Sequence, residues 1–249
     1  MSPTRLSSFR RRAPLAGVPT ALAATGLLLA AASGTVAQES ATPTPVGLVQ
    51  TAEGLAECAP AEIGALPEGT EAETVYSIVP EESAARYRVQ EELAQVGETE
   101  AVGQTQAIIG QLAFDESGTP LACSRFDVDL RTLQSDESRR DNYLYENTLE
   151  AETYPLATFV LRAVEGLDAP LTEGEEATMR LIGDLTLKDV TKLVAWEADV
   201  TMTEGALTGE AATEFEMPDF AIEPPSVPIL LSLDETIRLE IDLTARPQA

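Results

Sequence analysis

Nine short runs along this chain alternate apolar and polar residues with a period of two, and only one stretch breaks that rhythm. The runs cover residues 75–79, 85–91, 106–114, 121–130, 158–164, 178–187, 193–202, 207–215 and 235–244. Successive side chains of a strand point to opposite faces, so each run has one apolar face to bury. Turn formers separate the runs, among them Ser117-Gly118-Thr119-Pro120 and Lys188-Asp189. Eight or nine strands with a single helix specify an all-β domain, either an antiparallel sandwich or a barrel. Closure into a barrel is favoured because it removes unpaired edges.

The exception is residues 138–159. Ser138 and Asp141 have the spacing of a weak capping box. Leu144 and Thr148, then Tyr145 and Leu149, fall on neighbouring helical turns. Pro155 pushes Tyr154 towards extended geometry and closes the helix. The reading is one short helix between strands, either plugging a barrel end or forming a lid over a ligand. A barrel of about eight strands can fill its interior or hold one elongated molecule, and periodicity does not separate the two.

Composition narrows the chemistry. The chain has no histidine, so neither a Ser-His-Asp or Cys-His centre nor a histidine-ligated zinc is available. Acids number 42 and bases 16, a net charge of −26, which argues against nucleic acid and anionic lipid surfaces as partners. Acid pairs for glycoside chemistry carry no specificity in such a sequence. Asp127 and Asp129, at strand alternation, read as solvated-face residues. No calcium loop of the D-x-[DN]-x-[DN]-G type is present, and no metal site or catalytic residue is assigned.

Residues 1–37 read as an export signal: Arg10-Arg11-Arg12, an Ala/Leu-rich core, then Thr35-Val36-Ala37 at the cleavage positions. The alternative is a retained membrane anchor, which Gly17, Pro19 and Gly26 weaken. Removing the segment takes away four arginines and leaves 12 bases against 42 acids, a charge of −30. The mature protein is then expected outside the cell or in a periplasm, without stable membrane insertion. Oligomeric state, monomer or dimer, stays open.

Residues 38–70 are rich in Ala, Thr, Pro, Glu and Gly and read as a low-complexity, disordered linker or extended arm. Cys58 lies there, and Cys123 falls in a predicted strand. Two cysteines in an exported chain suggest a disulfide, with two free thiols as the alternative. The barrel domain occupies residues 71–247.

Within that domain, Arg140-Asp141, Leu144, Tyr154-Pro155 and Ala157-Thr158-Phe159 resemble the R-D-x-x-L…Y-P-x-A-x-F pattern of the YceI-like family. Residues 183–191, GDLTLKDVT, are similar to that family's G-x-L-T-I-x-G-V-T hairpin, and Asp219-Phe220-Ala221-Ile222 to its D-F-G-I. The strand at residues 237–241 fits the family's terminal one. The chain departs from the patterns at Tyr143, at Lys188-Asp189 and at Ala221, where histidines or glycines are common.

The resemblance implies a lipocalin-like barrel that is hollow, non-enzymatic and exported, and that holds a polyisoprenoid such as a polyprenyl quinone without any other cofactor. Alternation assigns Phe126, Val128, Leu130, Phe159, Leu161, Leu181, Leu185, Trp196, Val200 and Phe215 inward, as tunnel lining or as core. Tyr143, Leu144 and Leu149 are placed near a mouth. The rival reading is a filled barrel serving as a surface interaction or stress-protective module.

Overall fold

The structure, a computed structural model, describes residues 47–167 and 169–248; the expected export signal and the first part of the arm lie outside them. The alternating runs form strands: β1 Thr74–Ile78, β2 Ala84–Leu93, β3 Gly97–Thr105, β4 Ile108–Phe114, β5 Arg125–Asp129, β6 Leu156–Glu165, β7 Glu176–Leu187, β8 Val190–Thr203, β9 Ala206–Glu216, β10 Leu230–Leu233 and β11 Thr236–Pro247. Antiparallel pairing runs β1–β4–β5–β6–β7–β8–β9–β11 and returns from β11 to β1. The result is a closed eight-strand antiparallel barrel.

One end of the barrel is extended by paired continuations. Ile78 of β1 pairs with Ala245, whereas β2 takes the lower half of β11, from Ala84–Asp242 to Arg88–Arg238. Between β1 and β2 sits a turn at Pro80–Glu82. Ser83 pins it, its hydroxyl donating to Val79 O at 2.8 Å and accepting from Thr244 N at 3.0 Å. β3 precedes β4 and pairs with β2. β10 continues along β2 beyond the last β11 contact.

Strands β3 and β10 are not legible as alternating runs. β3 reads GETEAVGQT, poor in the branched and aromatic residues that favour strands. It forms because β2 templates it, with Tyr87 opposite Gly103. A Cβ on Gly103 would come within 2.2 Å of the Tyr87 ring, so only glycine lets that ring lie across β3.

The helix, α1 Ser138–Tyr143, starts differently from the expected capping box. Glu137 is the cap, its carboxylate accepting from Arg139 N at 3.1 Å. Asp141 reaches back past Ser138 to Ser135, accepting from its N at 2.9 Å and its Oγ at 2.6 Å. A wider turn, Leu144–Thr148, follows, closed by Leu149 N donating to Leu144 O at 2.8 Å. After Pro155 the chain enters β6 at Leu156.

The described part of the arm lies on the barrel wall as a strap without strand or helix of its own. Leu48 bridges Val194, with Ala195 N donating to Gly47 O and Val49 N to Leu193 O at 2.9 Å. These strap bonds pair backbone groups of β8 that its partners leave open, since β9 joins β8 only from Glu197 onwards. Further along, Ala56 meets Arg162, Gly64 N donates to Asp127 at 2.8 Å, and Leu66 N to Gln111 at 3.3 Å.

Two expectations change here. Cys123 is not in a strand: it sits in the turn before β5 with φ +70°, and it is disulfide-bonded to Cys58, Cα–Cα 5.3 Å. Asp127 is not a solvated-face residue, being 1% exposed beneath the strap. Its carboxylate accepts from Arg125 Nε and Nη2 at 2.8 and 2.9 Å, and from Thr158 Oγ1 at 2.7 Å, besides Gly64 N. Asp129 keeps a partly open position, paired with Arg131 at 2.6 Å.

Candidate functional site

The inward faces of the barrel strands pack into one apolar core that leaves narrow spaces between its members. Three narrow apolar chambers lie along the interior, with cavity volumes of about 80, 80 and 140 Å³. Each is smaller than the usual small-molecule pocket of about 300–1,000 Å³. The first is bounded by Leu161, Leu181, Val200, Phe114 and Leu207. The second takes Val128 and Leu185, with Ala85 from β2. The third lies against the helix and takes Leu144, Leu149 and Phe215.

Shared walls place the chambers in series. Phe126, Phe159, Trp196 and Ile241 border the first and second chambers. The three aromatic rings contact in sequence, centroids 6.2 Å apart for Phe126–Phe159 and 6.0 Å for Phe159–Trp196. Tyr87, Leu130, Leu133, Leu187 and Leu239 border the second and third. Beyond the third, a polar mouth opens between Ser135, Asp136, Asp141 and Asn142 of the helix entry and Tyr145 of its exit.

The side chains assigned inward by alternation line these chambers, and Leu144 and Leu149 stand where the mouth was expected. Tyr143 is the exception: it lines none of them, and Tyr145, two residues on, faces the mouth instead. A six-residue helix followed by a wide turn rotates successive side chains away from their ideal positions, so the face could not be read to one residue. Tyr87, Leu239 and Ile241 were missed as lining. Their signal was present, because Tyr87 alternates with Ala85 and Val89, and Leu239 and Ile241 share the β11 face.

Charge is kept at the rim and neutralised there. Arg140 ties the helix to β2 through Glu91 at 2.8 Å and also meets Asp136 at 2.6 Å. Arg86 is paired with Asp242, and Arg131 with Asp129. Among the described residues, three buried polar atoms near the chambers lack a partner: Trp196 Nε1, Tyr87 Oη and Thr148 Oγ1. Burial pushes the Tyr87 phenol up to about 12, so it stays a protonated donor near neutral pH.

A family profile described as the YceI-like domain matches residues 76–245. The chain belongs to the YceI-like family. Two solved structures share the fold. A domain from Saccharophagus degradans, described as polyisoprenoid-binding and implicated in plant cell wall breakdown, is 15% identical with a TM-score of 0.57; the match covers 70% of this chain and 98% of that one. BcnA from Burkholderia cenocepacia is 16% identical with a TM-score of 0.53, covering 67% of this chain and 98% of that one. No curated protein matches the chain in sequence.

The departures from YceI-like patterns acquire physical content in the structure. Ala221 ends the turn at Met217–Phe220 in the left-handed conformation, φ +50° and ψ +35°, where the family pattern has glycine. A Cβ in that region costs about 1 kcal/mol. Ala221→Gly is therefore expected to raise stability by roughly 0.5–1 kcal/mol, read as a higher urea midpoint at constant slope. Lys188 holds another left-handed position, φ +55°, and pairs with Glu150 at 2.5 Å, joining the β7–β8 turn to the helix exit.

Proposed function

We propose that this YceI-like protein is an exported, non-catalytic carrier or store of an isoprenoid lipid, whose apolar chain threads the three chambers. The observation that carries the reading is the continuity of apolar lining from the first chamber to the mouth beside the helix. A prenyl chain needs such a channel and no charged partner, because burial alone contributes roughly 25 cal/mol per Å² of apolar surface. The polyisoprenoid-binding description of the Saccharophagus degradans domain supports the same ligand class. The signal-like leader and the disulfide support export, since such bonds persist in oxidising compartments. The buried carboxylate of Asp127 is saturated by its partners and lies outside the chambers.

Trp196 is the sole tryptophan and borders two chambers, so its fluorescence reports loading. Titration with a prenylated benzoquinone should quench it saturably. Leu144→Asp, which sets a carboxylate at the inner edge of the mouth, is expected to weaken loading roughly tenfold, about 1.4 kcal/mol. Unchanged loading in a still-folded variant would demote the helix from gate to plug. Failure of the parent protein to load at all would sink the proposal.

A further inference from the structure

Apart from the paired Arg140 and Glu91, the third chamber is apolar but for two hydroxyl groups that have no hydrogen-bond partner among the described residues. Thr148, 7% exposed, turns inward from the wide turn after α1, and its Oγ1 is buried without a partner. Tyr87 lies across Gly103, which fixes its ring, and its Oη is equally unpartnered. Both residues line this one chamber, one from the helix side and one from β2. A buried hydroxyl left unbonded costs stability, so a pair of them in one cavity is a cost without a structural return.

Charge in the chamber points the same way. Arg140 and Glu91 reach its lining, but they are bonded to each other, and Arg140 also to Asp136. An anionic head such as a diphosphate would meet no uncompensated cation among the described residues there. An uncharged oxygen would meet two donors.

We propose that the third chamber is a head-group subsite, in which Tyr87 Oη and Thr148 Oγ1 donate to an uncharged oxygen acceptor of the ligand. The acceptor is a carbonyl, ether or hydroxyl oxygen at one end of the isoprenoid. The lipid therefore enters tail first, its chain running past Phe159 and Trp196 and its polar end stopping beside the helix. Trp196 Nε1, the third unpartnered atom, borders the other two chambers and takes no part in this subsite.

This rests on the proposal that the tunnel takes an isoprenoid, and the test separates the two. Calorimetric titrations of the full chain would use three probes: a prenylated benzoquinone, squalene as a head-less chain, and farnesyl diphosphate as an anionic head. For the unsubstituted protein, the quinone is expected to bind tightest and the diphosphate no tighter than squalene. Tyr87→Phe and Thr148→Val should each weaken the quinone roughly three- to tenfold and leave squalene unchanged. The ligand-free variants should melt no lower than the parent, because each loses an unbonded hydroxyl and keeps its shape.

Quinone affinity unaltered in both variants would overturn the subsite while leaving the tunnel intact. So would an equal loss for squalene, which would mean a packing role, or tightest binding by the diphosphate. No binding of quinone or squalene to the parent protein would overturn the tunnel proposal and the subsite with it.

Discussion

Asp127→Ala is expected to destabilise the protein by about 3 kcal/mol, because it leaves the mostly buried Arg125 guanidinium without its carboxylate. It also frees Gly64 N and Thr158 Oγ1, so the strap loses its central attachment. Urea unfolding would show the loss as a lower midpoint. Burial raises the Asp127 pKa, but the bonds from Arg125, Thr158 and Gly64 outweigh it and hold the carboxyl below its ordinary 3.8. A lowered folded-state value means the stabilisation is complete above the unfolded pKa and fades as pH falls through and below that value. The gap between the parent and Asp127→Ala should therefore narrow in acid below about 3.8 and stay constant above it. A gap independent of pH would show that the carboxylate charge contributes nothing.

The second large effect concerns the other end of the same strap. Removing the Cys58–Cys123 bond by Cys58→Ser with Cys123→Ser opens a loop whose ends are 65 residues apart. In the chain-entropy account a closure of that size contributes about 4 kcal/mol. Calorimetry should show a fall in Tm of about 10 °C, taking roughly 2–4 °C per kcal/mol for a protein of this size. Combined with Asp127→Ala the losses should not add, because one detached strap cannot be detached twice. Full additivity would mean that the two attachments stabilise separate parts of the wall.

Much of the barrel was legible because period-2 alternation reports a one-sided burial wherever a strand packs. It failed at β3, whose glycines and acids are ordered by β2 and not by their own propensity. It failed also at Asp127, where a cover from a distant, low-complexity segment turned an outward position into a buried one. Composition describes what a segment can do alone; residues 47–73 are held by the edge of β8, by Arg162 and by Cys123, none of which is local to them.

For the chambers, alternation supplied the inward set but not the space between its members. Whether Phe126, Phe159 and Trp196 close on one another or stand apart depends on barrel girth, which no single strand encodes. Tyr143 shows the limit at the helix, where a wide turn moved the lining to Tyr145. The hydroxyls of Tyr87 and Thr148 were invisible for another reason. An unbonded donor is a property of its surroundings, and both residues sit in unremarkable alternating or helical context.

Native mass spectrometry of the protein purified, without denaturation, from the organism that makes it tests the isoprenoid-carrier account most directly. The expected spectrum shows a bound species released on activation, whose organic extract is an isoprenoid with an uncharged oxygenated end. A ligand-free mass, from protein that also fails to take up a prenylated quinone when offered one, would contradict it.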